Sequence, residues 1–280
     1  MPLTNLAPLL ADAREGRHAI VAFNVILLEY AEAIVAAADE TGLPVILQVS
    51  QNAVRYHGSL EPLGLGCVAL ARNARASVAV HLDHATSLEI CQRAAAIGFG
   101  SVMFDGSVLP DDENIARTAA VVKWAHGAGL AVEAEIGIVG GKDGRHEALA
   151  PTTPDEARQF AAATGVDALA VQVGTSHAMT TQSAVLDLAR ISELRAAVEI
   201  PLVLHGSSGV PDAELAAAAR AGIAKINIGT RLNVAFSTTL RAEFARDERA
   251  VDPRPALSAA RTVVQAQAAQ LIEMVGRPAR

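Results

Sequence analysis

Residues 78–97 read Val-Ala-Val-His-Leu-Asp-His-Ala-Thr-Ser-Leu-Glu-Ile-Cys-Gln-Arg-Ala-Ala-Ala-Ile. An apolar run, Val78–Asp83, closes on two ionisable residues and gives way to an alanine-rich helical candidate, Ser87–Ile97. A strand covered on both faces reads as a near-continuous apolar run, and a crossover helix follows it. The same unit recurs outward in both directions. The further runs are Ile20–Asn24, Val45–Ser50, Ser101–Asp105, Ala131–Ile136, Ala168–Gly174, Leu202–Gly206 and Ala224–Ile228. Helical candidates between them include Glu29–Glu40, Glu113–His126, Pro154–Thr164 and Asp212–Ala221, with starts marked at Thr153-Pro154-Asp155-Glu156 and Pro211-Asp212. Eight strand–helix units in about 250 residues are the arithmetic of a (β/α)8 TIM barrel. The competitor, a doubly wound open sheet, carries a glycine-rich nucleotide turn after its first strand; Asn24-Val25-Ile26-Leu27 is not one. Residues 1–280 therefore read as one α/β barrel domain. Two helices follow the eighth strand, about 231–246 and 256–275. The second, an extension over about 253–276, exceeds what a barrel needs and suggests packing on a partner subunit, in a homodimer or homotetramer.

Composition narrows the function. Of 280 residues, 51% are hydrophobic and 19% charged, which suits a well-packed core and excludes disorder. A net charge of −7 without basic runs argues against nucleic acid or an anionic membrane as partner. Mean hydropathy is slightly positive, but no stretch approaches the roughly 20 apolar residues of a membrane helix. The first 16 residues lack the pattern of a signal peptide. The expectation is a cytoplasmic protein in which Cys67 and Cys91 are buried apolar filler.

Chemistry in such barrels gathers where the strands finish. The eight runs end at or near Asn24, Ser50, Asp83-His84, Asp105, Glu135, His177, His205 and Asn227. Polar groups at all eight ends are improbable as core packing. His84, His177 and His205 come from three different strands, and three imidazoles around an open position are the pattern of a catalytic zinc. Asp83, beside them, suits a general acid or base. Side chains alternate along a strand, so His81 lies one layer below Asp83, Glu133 below Glu135, and Lys225 below Asn227. A buried lysine needs a counter-charge, and Glu133 is the candidate. The turns Gly206-Ser207-Ser208-Gly209 and Asn227-Ile228-Gly229-Thr230 follow the last two strands, where amides at a helix start bind phosphate.

Taken together, these residues resemble a known family. His81-Leu82-Asp83-His84, Val132-Glu133-Ala134-Glu135-Ile136-Gly137, Gly174-Thr175-Ser176-His177, Leu204-His205-Gly206-Ser207-Ser208-Gly209 and Lys225-Ile226-Asn227-Ile228 look like the signature segments of class II ketose-bisphosphate aldolases, the zinc-dependent fructose- and tagatose-bisphosphate enzymes. The likeness runs in order from Ala22-Phe23-Asn24-Val25 to about Thr230 and includes Val102–Ser107. The resemblance implies zinc ligands at His84, His177 and His205, a catalytic aspartate at Asp83, and acidic groups near the metal at Asp105 and Glu135, where a second divalent or monovalent cation sometimes sits. It places phosphate contacts at Gly206, Ser208, Asn227 and Thr230, with Asn24 and Gly229 beside them. It implies a lyase that cleaves a ketose 1-phosphate or 1,6-bisphosphate to dihydroxyacetone phosphate and an aldehyde through a zinc-stabilised enediolate.

The chain also departs from the family pattern. His177-Ala178-Met179-Thr180-Thr181 lacks the usual glycine after the histidine and the lysine beyond it, and Ser207 replaces a glycine. The loop reads Gly140-Gly141-Lys142-Asp143-Gly144, so Asp143 stands where a longer glutamate commonly shuttles a proton. Ser50 and Arg55 follow the second strand, where the family places groups toward the distal end of the substrate. These departures leave room for an aldolase acting on a non-standard ketose. A zinc hydrolase on the same barrel, a Schiff-base aldolase using Lys225 and a binding protein without turnover are the remaining alternatives.

Overall fold

The computed structural model describes residues 3–136, 150–175, 184–247 and 249–278. Eight parallel strands close in sequence order: β1 (Ile20–Asn24), β2 (Val45–Ser50), β3 (Val78–Ala85), β4 (Ser101–Phe104), β5 (Ala131–Glu135), β6 (Ala168–Ala170), β7 (Leu202–Leu204) and β8 (Ile223–Ile228). The strands are buried on both faces, which is why they read as continuous apolar runs. Outward residues such as Phe23, Leu47, Val80, Val132, Leu169 and Ile226 join the helices in the main core.

Helices α2 (Leu28–Thr41), α4 (Glu61–Asn73), α5 (Leu88–Ala96), α6 (Asp111–Gly127), α7 (Pro154–Thr164), α8 (Leu188–Ala197) and α9 (Asp212–Ala221) form the outer ring. The start of α7 is the capping box that its sequence announces: Thr153 accepts from the Glu156 amide at 3.3 Å, and the Glu156 carboxylate accepts from the Thr153 amide at 2.8 Å. A short helix, α3 (Gln51–His57), follows β2 directly.

Two features lie outside the strand–helix arithmetic. Helix α1 (Leu6–Gly16) precedes the barrel and turns Leu6, Leu10 and Ala13 onto a second, interior cluster with Ile20, Ala22, Ile46, Ala79, Ala131, Ala168, Ala170 and Val203. Interior positions this small leave the barrel floor unfilled, and α1 closes it. Helices α10 (Thr230–Arg246) and α11 (Arg254–Val275) follow β8, and α11 lies against α2 and α10. Its apolar stripe, including Ala260, Val264, Ala268, Leu271 and Ile272, is buried against its own chain.

Strand six ends at Ala170, four residues before the end of the apolar run. Val171 still donates to Val203 at 3.2 Å. Beyond it, the Gln172 side chain takes the amides of Gly174 at 2.9 Å and Thr175 at 3.0 Å, so the chain turns instead of pairing.

Candidate active site

Strict alternation would send His84 outward, opposite to Asp83. The register between β3 and β4 shifts between Leu82 and Ala85, and His84 takes a left-handed backbone with φ of +52°. This bulge brings two successive side chains to the mouth, as bulges beside active sites do. His84 Nδ1 bonds the Asp105 carboxylate at 2.8 Å, and its Nε2 lies 3.8 Å from Asp83 Oδ1. Asp105 is held in turn by the amide and hydroxyl of Ser107, at 3.2 and 2.6 Å. It therefore stands behind the imidazole and orients it.

Strands β5 and β7 supply the other half. Glu133 and Glu135 share one face of β5, and both are buried. His205, one residue past β7, has Nε2 2.8 Å from Glu133 Oε1 and Nδ1 3.0 Å from Glu135 Oε2. Burial alone would lower the His205 pKa, but the two carboxylates outweigh it and push the imidazole up to about 9. Lys225 Nζ lies 2.8 Å from Glu133 Oε2, so the counter-charge anticipated from the sequence is in contact. Burial would raise the Glu133 carboxyl; Lys225 and His205 instead hold it well below the usual range. His81 donates to or accepts from Ser101 Oγ at 2.9 Å and lies 3.7 Å from Glu133; burial, then Lys225, pulls its pKa down to about 3. Lys225 is 0% exposed, beneath the histidines and bonded to a carboxylate, which leaves no route for it to meet a substrate carbonyl.

Asp83 is 2% exposed and accepts from Asn24 Nδ2 at 3.3 Å. Burial would raise its pKa, yet the His84 and His205 rings, then Lys225, hold it below the ordinary aspartate value. An ionised carboxylate at this point is ready to accept a proton. The Gln48 side chain lies 3.5 Å from Asn24 Oδ1. Gln48, Ser101 and Gln172 were missed from the sequence because uncharged polar residues within apolar runs carry no motif.

The ligand atoms of His84, Glu135 and His205 all lie within 4.8 Å of one another, which marks them as able to hold one metal ion. Two imidazoles and a carboxylate suit zinc. Each imidazole carries a carboxylate on its other nitrogen, Asp105 on His84 and Glu133 on His205, as metal-binding histidines require. His177 and Asp143 lie outside the described residues. What leads toward His177 is described: Gly174 has φ of +105°, and an added Cβ would stand 2.7 Å from the Val185 carbonyl oxygen. Only glycine fits that turn.

The phosphate corner is assembled from separate elements. Gly206 has φ of +64° and opens a single 3-10 turn, Ser207–Gly209, in which Ser208 Oγ is buried without a partner among the described residues. The Ser207 hydroxyl bonds the Asn227 carbonyl. Asn227 ends the inward row of β8, and Gly229 and Thr230 begin α10. Asn24 Oδ1 packs 3.0 Å from where a Gly229 Cβ would sit, so the first and last strands close on each other here. Ser50 faces its own chain, accepting the Ala53 amide at 3.2 Å as the cap of α3. Arg55 is exposed on that helix, bonded to Asn52 at 2.9 Å.

Residues 4–279 match the family described as fructose-bisphosphate aldolase class-II. The chain belongs to that family. A 6-phospho-5-dehydro-2-deoxy-D-gluconate aldolase from Shouchella clausii is 38% identical over 99% of this chain and 95% of its own length. A fructose-bisphosphate aldolase from Geobacillus stearothermophilus is also 38% identical, over 95% and 94%. The crystal structure of the YdjI aldolase from Escherichia coli K12 superposes with a TM-score of 0.87 at 33% identity, covering 99% of this chain and 98% of that one. The protein is thus a class II aldolase, a carbon–carbon lyase on a TIM barrel. The hydrolase and Schiff-base readings fall with that assignment. Among the described residues, no helix is long and apolar enough to cross a membrane.

Proposed function

We propose that this aldolase splits a ketose phosphate between C3 and C4, releasing dihydroxyacetone phosphate and an aldehyde, with one zinc ion held by His84, His177 and His205 beside Glu135. The observation that carries the reading is the pair of carboxylate-backed imidazoles, His84 and His205, next to the buried, ionised Asp83. When bound, zinc supplies Lewis-acid polarisation of the ketose carbonyl. Asp83 takes the proton from the C4 hydroxyl, and the electrons of the O–H bond form the aldehyde carbonyl as the C3–C4 bond breaks. Asn24, bonded to Asp83, fixes the carboxylate that performs this step. The three-carbon fragment then takes a proton at C3, for which Asp143 is the proposed donor. The Gly206–Gly209 turn, Asn227 and the α10 start at Gly229-Thr230 bind its phosphate through amides and hydroxyls. The departures after His177 leave this corner without the family's lysine.

The far end of the substrate is the less specified one. The two relatives at 38% identity are named for different substrates, a fructose bisphosphate and a phosphorylated deoxygluconate whose far end is a carboxylate. Arg55, at the rim beyond Ser50, pairs with either anion. The decisive experiment measures metal content and retro-aldol rates on fructose 1,6-bisphosphate, tagatose 1,6-bisphosphate and 6-phospho-5-dehydro-2-deoxy-D-gluconate, before and after chelation. Turnover lost with the chelator and restored by zinc supports the reading and ranks the three. Turnover that survives complete metal removal defeats it.

A further inference from the structure

Below the mouth lies a row of buried ionic groups that the cleavage steps do not use. Lys225, Glu133 and His81 are each 0% exposed, as is His205 above them. Glu133 stands on β5 and Lys225 on β8, so their contact crosses the barrel interior. Packing does not explain the pair. Two ions taken out of water are at best a neutral exchange for well-packed apolar residues, and the layer below is filled with alanine and isoleucine.

The division of labour between the two oxygens of Glu133 is informative. Oε2 faces Lys225 Nζ at 2.8 Å, with His81 Nε2 farther off at 3.7 Å. Oε1 faces His205 Nε2 at 2.8 Å. A carboxylate has no proton to give, so His205 Nε2 must be the donor. By the same rule Nδ1 donates to Glu135 at 3.0 Å while no metal is bound. With Nε2 committed to Glu133, Nδ1 is the nitrogen that turns to a metal.

Building on the metal-site reading above, we propose that Lys225 is a positioning residue for the metal centre. By occupying Oε2, it keeps Glu133 from turning toward His81 and commits Oε1 to His205. The ring plane of His205, and the nitrogen that faces the metal, are thereby set before any metal arrives. Toward the metal centre Lys225 acts through Glu133, the carboxylate it contacts, and it touches neither substrate nor metal.

The test uses metal-stripped full-length protein, with zinc affinity read by competition against a chromophoric chelator and coordination read from the visible spectrum after cobalt loading. Glu133→Gln is expected to weaken zinc binding 10- to 100-fold, the range for losing a partner behind a metal-binding histidine. Lys225→Met should weaken it about 10-fold and change the cobalt spectrum, because the ring is no longer held in one orientation. The double variant should bind zinc no more weakly than Glu133→Gln, since residues acting through one contact are not additive. Thermal melts of the metal-free proteins separate this from general loosening of the fold. Zinc affinity in Lys225→Met equal to that of the parent overturns the proposal. So does tighter binding, the result expected if Lys225 were only a positive charge near a cation, and so do additive losses in the double variant. If Lys225→Met does not fold, the double variant, which removes both charges together, decides. Affinity equal to that of Glu133→Gln supports the proposal, and weaker binding overturns it. Absence of zinc binding by the parent chain would instead defeat the metal-site reading itself.

Discussion

The two ends of the barrel use the same strands and the same inward-facing positions, yet they are built from opposite chemistry. At the N-terminal end Ile20, Ala22, Ile46, Ala79 and Ala131 join Leu6, Leu10 and Ala13 of α1 in one buried apolar cluster. One or two layers along the same strands come Asn24, Gln48, His81, Asp83, Glu133 and Glu135. The lower end is held by area removed from water, which is tolerant of detail. The upper end is held by charges that satisfy one another, where losing one partner strands the next. The contrast teaches that stability and chemistry are separated along single strands, a few residues apart. Variants at the two ends should therefore fail in different assays.

The largest expected effect is at the upper end. Asp83→Asn keeps the shape and the contact with Asn24 but cannot accept the C4 hydroxyl proton. Its kcat is expected to fall about 10³-fold, within the range for losing a general base, which corresponds to about 4 kcal/mol of transition-state stabilisation. The measurement is kcat alongside the melting temperature. A melting temperature that fell together with kcat would erase the proposed separation of roles.

At the lower end the opposite pattern is expected. Leu10 is 1% exposed on the inner face of α1. Leu10→Ala removes buried methyl groups under a close-packed floor and should lower stability by about 2–5 kcal/mol. At a temperature where the variant remains folded, its KM and zinc stoichiometry should match the parent. Denaturant melts and steady-state kinetics on the same samples check both halves.

How much of this was legible in the sequence follows the same division. The eight strands and the polar residues at their ends were readable because a buried parallel strand is a continuous apolar run that breaks where it reaches water. Helix α1 was not, because Leu6-Ala7-Pro8-Leu9-Leu10 precedes the first strand and has no place in a strand–helix count. The place of His84 at the mouth was legible from its position at a strand end, but not the backbone that turns it inward: strict alternation sends it outward, and the register shift at Leu82/Ala85 brings it back. The role of Asp105 behind His84 depends on a ring orientation that spacing does not encode. Glu133 and Lys225 were paired by parity and charge alone, since an interior lysine has few places to go.

Gly174 tests the connection between a backbone requirement and the mouth. With φ of +105° and the Val185 carbonyl 2.7 Å from any added Cβ, Gly174→Ala must shift one side of the turn. Strain of this kind costs about 1–3 kcal/mol, and the turn leads two residues later into the segment carrying His177. The variant should lose about 1–3 kcal/mol of stability and bind zinc more weakly than the parent, with the metal-free melting temperature and chelator competition as readouts. Unchanged zinc affinity with lowered stability would place the turn with the scaffold.

The smallest effect is expected outside the barrel, at a solvent-facing ion pair. Glu61 on α4 receives Arg93 of α5 through Nε and Nη2, at 3.0 and 2.9 Å to Oε1, and the Ser59 hydroxyl also reaches it. Arg93 first, then Ser59, lower the Glu61 pKa from 4.5 to about 2. A carboxyl with a depressed folded-state pKa stabilises the fold fully above its unfolded value and loses that contribution as pH falls through the folded one. The difference in melting temperature between the parent and Glu61→Gln should therefore be constant above about pH 5 and shrink steadily between pH 4.5 and 2. Added salt should shrink it further at every pH, because exposed charges are screened. The charges at the mouth are enclosed by the barrel and by one another, so the zinc affinity of the parent should respond far less to the same salt. Equal salt sensitivity at Glu61 and at the mouth would show that water reaches the interior row, and the contrast between a surface pair and a buried one would not hold for this protein.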